Sequence, residues 1–152
     1  MSSVSVPLKR VTGSGDVIPS KAHQGDVGYD LKYCGEDVSV PTYLPGSSNH
    51  IVKLKTGVCI QAPPGTYIRI APRSGLSSKG IIINGGVVDP GYQGEILVVA
   101  MNLSGEPFTF RTSDRVAQVI FESVLSHPIK FKIVDEFTSE SKRGEQGFGS
   151  SG

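Results

Sequence analysis

Apolar and polar residues alternate in short runs along this chain, and glycine or proline closes most of the runs. "HIVKLKTGVCIQA" (His50 to Ala62) repeats at a period of two, which puts successive side chains on opposite faces of a strand. "VSVPLKRV", "GTYIRIAP", "PFTF", "RVAQVIFESVL" and "KFKIVDEF" are of strand length, β-branched or aromatic, and bounded by breakers. "GIIINGGVV" and "EILVVAMNL" flank an Asp-Pro-Gly turn and predict the two arms of a hairpin. "GYDL" falls in an early strand or turn, and "RSGLSSKG" alone predicts helix, one or two turns at most. Eight or more short strands in 152 residues predict one all-β domain, a jelly-roll-like barrel or sandwich.

Composition supports that picture and narrows the partners. The 19 glycines and 10 prolines supply the turns that many short strands need. The last stretch, "TSESKRGEQGFGSSG", loses the strand period and turns small and polar. It predicts a β domain over 1–136 and a flexible Gly-rich arm over 137–152. Lys and Arg total 15 against 14 Asp and Glu, so no global field attracts nucleic acid or membrane, and an anionic ligand needs a local cluster. Cys34 and Cys59 lack CxxC spacing, as expected of reduced thiols inside a cell, and His23, His50 and His127 form no metal-ligand pattern. The N-terminus lacks a signal-peptide core and no run reaches membrane-spanning length. The expectation is a soluble intracellular protein, of cytoplasm or nucleus.

Five stretches carry candidate chemistry, and each also has an ordinary structural reading. "GYDL" sets Asp30 beside an aromatic, where it could equally cap a turn. "PRSGL" lines up Arg73, Ser74 and Gly75: a guanidinium that chelates two oxygens, a hydroxyl, and a residue that lets backbone N–H approach. "GGVVDPGYQGE" sets Asp89 at a hairpin tip before Tyr92, although Asp-Pro-Gly is also common turn chemistry. "SDRVAQVI" offers Arg115 and Gln118, which could instead pair with Asp114 and tie strands together. The tail offers Arg143, Phe148, Gly149 and Ser150, or is merely disordered.

In this order and spacing the five stretches resemble the motifs of the trimeric deoxyuridine triphosphatase (dUTPase) family, over roughly residues 5 to 152. Departures are small: Val27 and Tyr33 around the first motif, Asn84 before the third, Gln146 and Ser151 in the fifth. The resemblance implies hydrolysis of dUTP to dUMP and pyrophosphate, limiting uracil in DNA and supplying dUMP for dTMP synthesis. Asp89 would be the general base that activates the water attacking the α-phosphate. Tyr92 would pack on the deoxyribose and exclude a 2′-hydroxyl, and backbone around Asn84, Gly86 and Leu97 would read uracil.

By the same resemblance Arg73, Ser74 and Gly75 would hold the phosphates, Gln118 the α-phosphate region, and Arg115 and Asp114 would brace the site. Mg²⁺ would ride on the phosphates, with Asp30 touching it only through water. Phe148 would stack on uracil, Arg143 would reach the γ-phosphate, and Gly149 and Ser150 would add donors. The site would be shared in a homotrimer: the second and fourth motifs from one subunit, the Asp89 hairpin from a neighbour, the tail from the third. Two rivals are a dCTP deaminase of related fold, which needs an acid aimed at the base, and an idle binding relative, which should lack Asp89, Arg73 or the tail.

Overall fold

A computed structural model of the chain describes residues 2–147 and Gly149. It is almost entirely strand. β1 (Leu8–Arg10) pairs with β5 (Val58–Ile60), and β3 (Val38–Val40) with β10 (Phe108–Phe110), as two ribbons. Two larger sheets have the orders β2-β11-β6-β8 and β4-β9-β7, built from β2 (Tyr29–Lys32), β4 (Ile51–Lys55), β6 (Thr66–Ala71), β7 (Ile81–Asn84), β8 (Val87–Val88), β9 (Leu97–Asn102) and β11 (Arg115–Ser123). Every pairing is antiparallel. The one helix among the described residues, α1 (Ser74–Ser77), is a single turn, short as the sequence predicts.

Period two explains the layering. Leu54, Val98, Ala100, Ile81 and Ile83 point inward from the three-stranded sheet, and Leu31, Val119, Ile68 and Ile70 point inward from the four-stranded one. With Val58, Ile60, Val40 and Phe110 from the ribbons they form one continuous core. The result is a sandwich of sheets in the jelly-roll manner, not a closed barrel.

The structure revises three strand expectations. The His50–Ala62 run breaks at Thr56–Gly57, where Gly57 takes a φ of 72° and the chain leaves β4 for β5. In the predicted hairpin, β7 and β9 do pair, from Ile81↔Asn102 to Asn84↔Val99. Val87–Val88, however, leaves that arm and pairs with β6 in the other sheet. The crossing is made by Gly85, at φ 69°, and Gly86, where an added Cβ would lie 2.8 Å from the Ile70 carbonyl oxygen. Finally "KFKIVDEF" forms no strand: its backbone finds no ladder, and Phe131, Ile133 and Phe137 stand more than nine-tenths exposed.

Asn102 joins the three-stranded sheet to the β3–β10 ribbon through bonds that no apolar side chain could make. Fully buried, its amide nitrogen donates to the Val40 and Glu106 carbonyls (2.9 and 2.7 Å), and its oxygen accepts from the Ser104 N–H and hydroxyl (3.0 and 2.7 Å). Asn102→Ala strips partners from several of these groups at once, so a loss of about 2–4 kcal/mol in unfolding free energy is expected from denaturant titration.

Candidate active site

Gln118 stands at the middle of the four-stranded sheet. In register it faces Asp30 of β2 on one side and Ala71 of β6 on the other. Arg115 lies three residues earlier, and in a regular strand an odd separation sends two side chains to opposite faces. The β2–β11 register slips between Arg115 and Ala117, so Val116 and Ala117 are both buried. This bulge restores Arg115 to the outer face that Gln118 and Asp30 occupy.

Around Asp30 the charges converge. Arg73, just beyond the end of β6, donates from Nε to Asp30 Oδ1 at 2.9 Å, and Arg115 Nη1 lies 3.8 Å from Oδ2. Arg73 Nη1 also donates to the Arg115 carbonyl at 3.3 Å. The Asp30 carboxylate is only 13% exposed and the Arg115 side chain 50%. Two guanidiniums on one carboxylate leave an excess of positive charge with N–H donors still unspent, a grip for phosphate oxygens. Gln118 Nε2 donates to the Pro72 carbonyl at 2.8 Å, pinning the turn that carries Arg73. Next to it Ser74 and Gly75 are exposed at the start of α1, and the Ser74 hydroxyl has no hydrogen-bond partner among the described residues.

The hairpin tip is a separate structure. Tyr92 N–H donates to the Asp89 carbonyl at 3.0 Å, closing the Asp-Pro-Gly turn, and the Asp89 carboxylate is exposed without a partner among the described residues. Asn84 ends β7 and Leu97 opens β9, both exposed, with Gly86 tucked against β6. Extending the Ile68↔Val88 register by one residue sets Asp89 level with Tyr67, six residues before Arg73. At about 3.3 Å per residue that is about 20 Å along β6. Asp30, Arg73, Ser74, Gly75 and Gln118 therefore form one group, and Asp89 and Tyr92 another.

Among the described residues, no hydrogen bond or ion pair ties 124–146 to either group within the chain. Residues 124–147 are exposed, and Arg143 turns back on its own loop, Nε donating to the Gln146 carbonyl at 2.9 Å. Gly149 takes a φ of 77°, while Phe148 and Ser150 lie outside the described residues. Asp114 caps the turn before β11, its carboxylate accepting from the Arg111 N–H at 2.8 Å. Burial first, then the Glu95 carboxylate, push the Cys34 thiol above its ordinary range, so it is a poor nucleophile near neutral pH.

The dUTPase family model matches residues 16–152. The chain belongs to the dUTPase family. A deoxyuridine 5'-triphosphate nucleotidohydrolase of Candida albicans is 39% identical over 151 residues, 99% of this chain and 88% of that one. One from Swinepox virus is 40% identical over 137 residues, 90% and 89% of the two chains. Among solved structures, the dUTPase of Staphylococcus bacteriophage 80alpha with dUPNHPP is similar at 26% identity and a TM-score of 0.81, covering 99% of each chain. No helix among the described residues is long and apolar enough to cross a membrane.

Sequence reasoning passed over Gly28, which makes room for Gln118 in this dUTPase-family chain. A Cβ there would fall 1.9 Å from Gln118 Oε1 and 2.7 Å from Cδ. The signal was the glycine heading "GYDL", readable only once β2 and β11 are known to be neighbours. Gly28→Ala is expected to expel the Gln118 amide, break its bond to Pro72 and lower kcat/KM about tenfold or more for whatever phosphate ester the clamp serves. Steady-state kinetics beside a melting curve separates this from unfolding.

Proposed function

We propose that this dUTPase-family chain hydrolyses dUTP to dUMP and pyrophosphate, at sites shared by three copies of the chain. The observation that carries the reading is the Asp89 carboxylate, unpartnered among the described residues at the tip of a hydrogen-bonded turn. A general base needs that freedom, since its oxygen must accept from water and not from a neighbouring side chain. Asp89 takes a proton as the water oxygen bonds to the α-phosphorus. The bond from that phosphorus to the bridging oxygen breaks, and pyrophosphate leaves.

Arg73, Ser74 and the backbone at Gly75 meet the charge on the departing group, and Gln118 orients the α-phosphate. Arg115 braces Asp30 and Arg73. Backbone groups around Asn84, Gly86 and Leu97 read the uracil edge, and Tyr92 walls the deoxyribose. Among the described residues no group of three or more His, Cys, Asp or Glu could cage a metal ion. The donor set suits Mg²⁺ that arrives on the phosphates and keeps its waters, with Asp30 reaching the water shell. When bound, the ion offsets part of the triphosphate charge.

Two features support shared sites. The phosphate atoms of one nucleotide lie far closer together than the 20 Å or so between Arg73 and Asp89, so a base and a clamp serving one substrate come from different chains. The segment carrying Phe131, Ile133 and Phe137 exposes apolar surface that packing on neighbouring copies would bury. The domain then covers 1–136, and 137–152 is a flexible lid in which Arg143 reaches the γ-phosphate, Phe148 stacks on uracil, and Gly149 and Ser150 add donors.

Pyrophosphate release should be fastest from dUTP among dUTP, dTTP, dCTP and UTP, and should need Mg²⁺. Asp89→Asn, nearly isosteric, should lower kcat by about 10²–10⁴-fold with little change in KM. Ammonia from dCTP, or full turnover in the variant, would overturn the assignment.

Sharing makes its own prediction. Neither full-length Asp89→Asn nor a chain stopped before Arg143 should have appreciable activity alone. Co-expressed, they should give mixed trimers more active than the sum of the two, because some sites combine an intact base with an intact tail. Mixed trimers verified by mass analysis but still inactive would rule out sharing.

A further inference from the structure

Tyr92 does not project freely from the hairpin. Its ring folds back along its own loop, and its hydroxyl donates to the Glu95 carbonyl at 2.9 Å. That acceptor is itself held. The Glu95 carboxylate accepts from the Gly57 N–H at 2.9 Å, Ile96 N–H donates to the Val58 carbonyl at 2.9 Å, and the buried Thr56 hydroxyl donates to the Ile96 carbonyl at 2.6 Å. The ring is therefore fixed at both ends, at Cα by the Asp-Pro-Gly turn and at its hydroxyl by a clamped peptide. It still leaves 47% of the residue exposed.

The space it folds into exists because residue 94 has no side chain. A Cβ on Gly94 would sit 2.5 Å from the Tyr92 hydroxyl oxygen, 2.7 Å from Cζ and 3.2 Å from Cε2. These approaches are too close for any rotamer adjustment to absorb while the hydroxyl stays on Glu95. Backbone freedom is not the reason for this glycine, since its φ lies outside the left-handed region. Gly91, three residues before it in "PGYQG", is the natural contrast: a Cβ there meets nothing within 4 Å, and its φ is also ordinary.

We propose that Gly94 and the Glu95 carbonyl form a seat that fixes the Tyr92 ring, making Gly94 a positioning residue for discrimination between deoxyribose and ribose. The inference rests on Tyr92 as the sugar wall. A wall that tells a hydrogen from a hydroxyl works only if it cannot yield, because the two sugars differ by one oxygen. A seat without side-chain bulk, roofed by an immobile carbonyl, supplies that rigidity.

The measurement is the ratio of kcat/KM for dUTP over UTP, taken on folded full-length protein with melting temperature as a check. Gly94→Ala should lower the ratio about tenfold or more, mainly through gain on UTP, with dUTP turnover within about threefold of the parent. Gly91→Ala should leave the ratio unchanged. In a Tyr92→Ala background Gly94→Ala should have no further effect, a coupling that a general loss of stability would not produce. Should Gly94→Ala fail to fold, Tyr92→Phe decides, because it keeps the ring and removes its anchor, and the ratio should fall about threefold.

An unchanged ratio in Gly94→Ala, or in Tyr92→Phe where that variant decides, overturns the seat if Tyr92→Ala does lower it. An unchanged ratio in Tyr92→Ala instead overturns the wall reading beneath it.

Discussion

The site depends on β11 pairing along both edges at once. Its nine residues are the longest strand in the molecule, held by β2 on one side and β6 on the other. That double ladder brings residues some forty positions apart in sequence level with Gln118. The bulge at Val116–Ala117 then puts Arg115 on the same face. Without the bulge, Arg115 would point at the core and Asp30 would have one guanidinium for company instead of two. A local irregularity in one ladder thus decides the charge of the clamp.

A second constraint governs the hairpin. The Gly85–Gly86 pair lets one strand serve two sheets, β7 in the three-stranded and β8 in the four-stranded. This ties the tip to both layers of the sandwich and leaves its carboxylate outside them. Among the described residues the Asp89 carboxylate is free while the backbone around it is not: the turn is closed by the Tyr92 N–H, and the returning strand is tied down at Glu95 and Ile96. Rigidity in the main chain and openness at one side chain is the arrangement a general base requires.

Much of this was legible in the sequence, and the parts that were not share a cause. The period-two run identified β4 and β5, because a half-buried strand must alternate, β-branched runs between breakers identified β6 and β11, and the flank of the Asp-Pro-Gly turn identified β9. β3, Val-Ser-Val, alternates but is too short to stand out, and the departure of β8 to β6 was not legible either, since no local pattern names a distant partner. "KFKIVDEF" misled for the converse reason: it has strand composition, but a strand exists only with a neighbour to bond. At the site, the order of the motifs picked out Asp30, Arg73, Gln118, Asp89 and Tyr92. Their spacing alone names no neighbours; it was the resemblance that set the Arg73 and Gln118 motifs apart from the Asp89 hairpin, and the sheet register shows the physical reason, about 20 Å along β6. Gly28 and Gly94 were invisible as working parts, because their contribution is a space that only the folded neighbours define.

The outlying segment has a consequence for the life of a newly made chain. Residues 130–137 are exposed, their backbone is unpaired, and Phe131 and Ile133 alternate with Lys130 and Lys132. Such a stretch is open to proteolytic nicking and is a template for edge-to-edge association. The interleaved lysines, and the acids Asp135 and Glu136 that follow, act as gatekeepers: stacking identical copies in register would bring like charges together. The pattern disfavours self-stacking while leaving the apolar side chains of Phe131, Ile133 and Phe137 uncovered. For as long as nothing covers it, this segment is where a protease can cut.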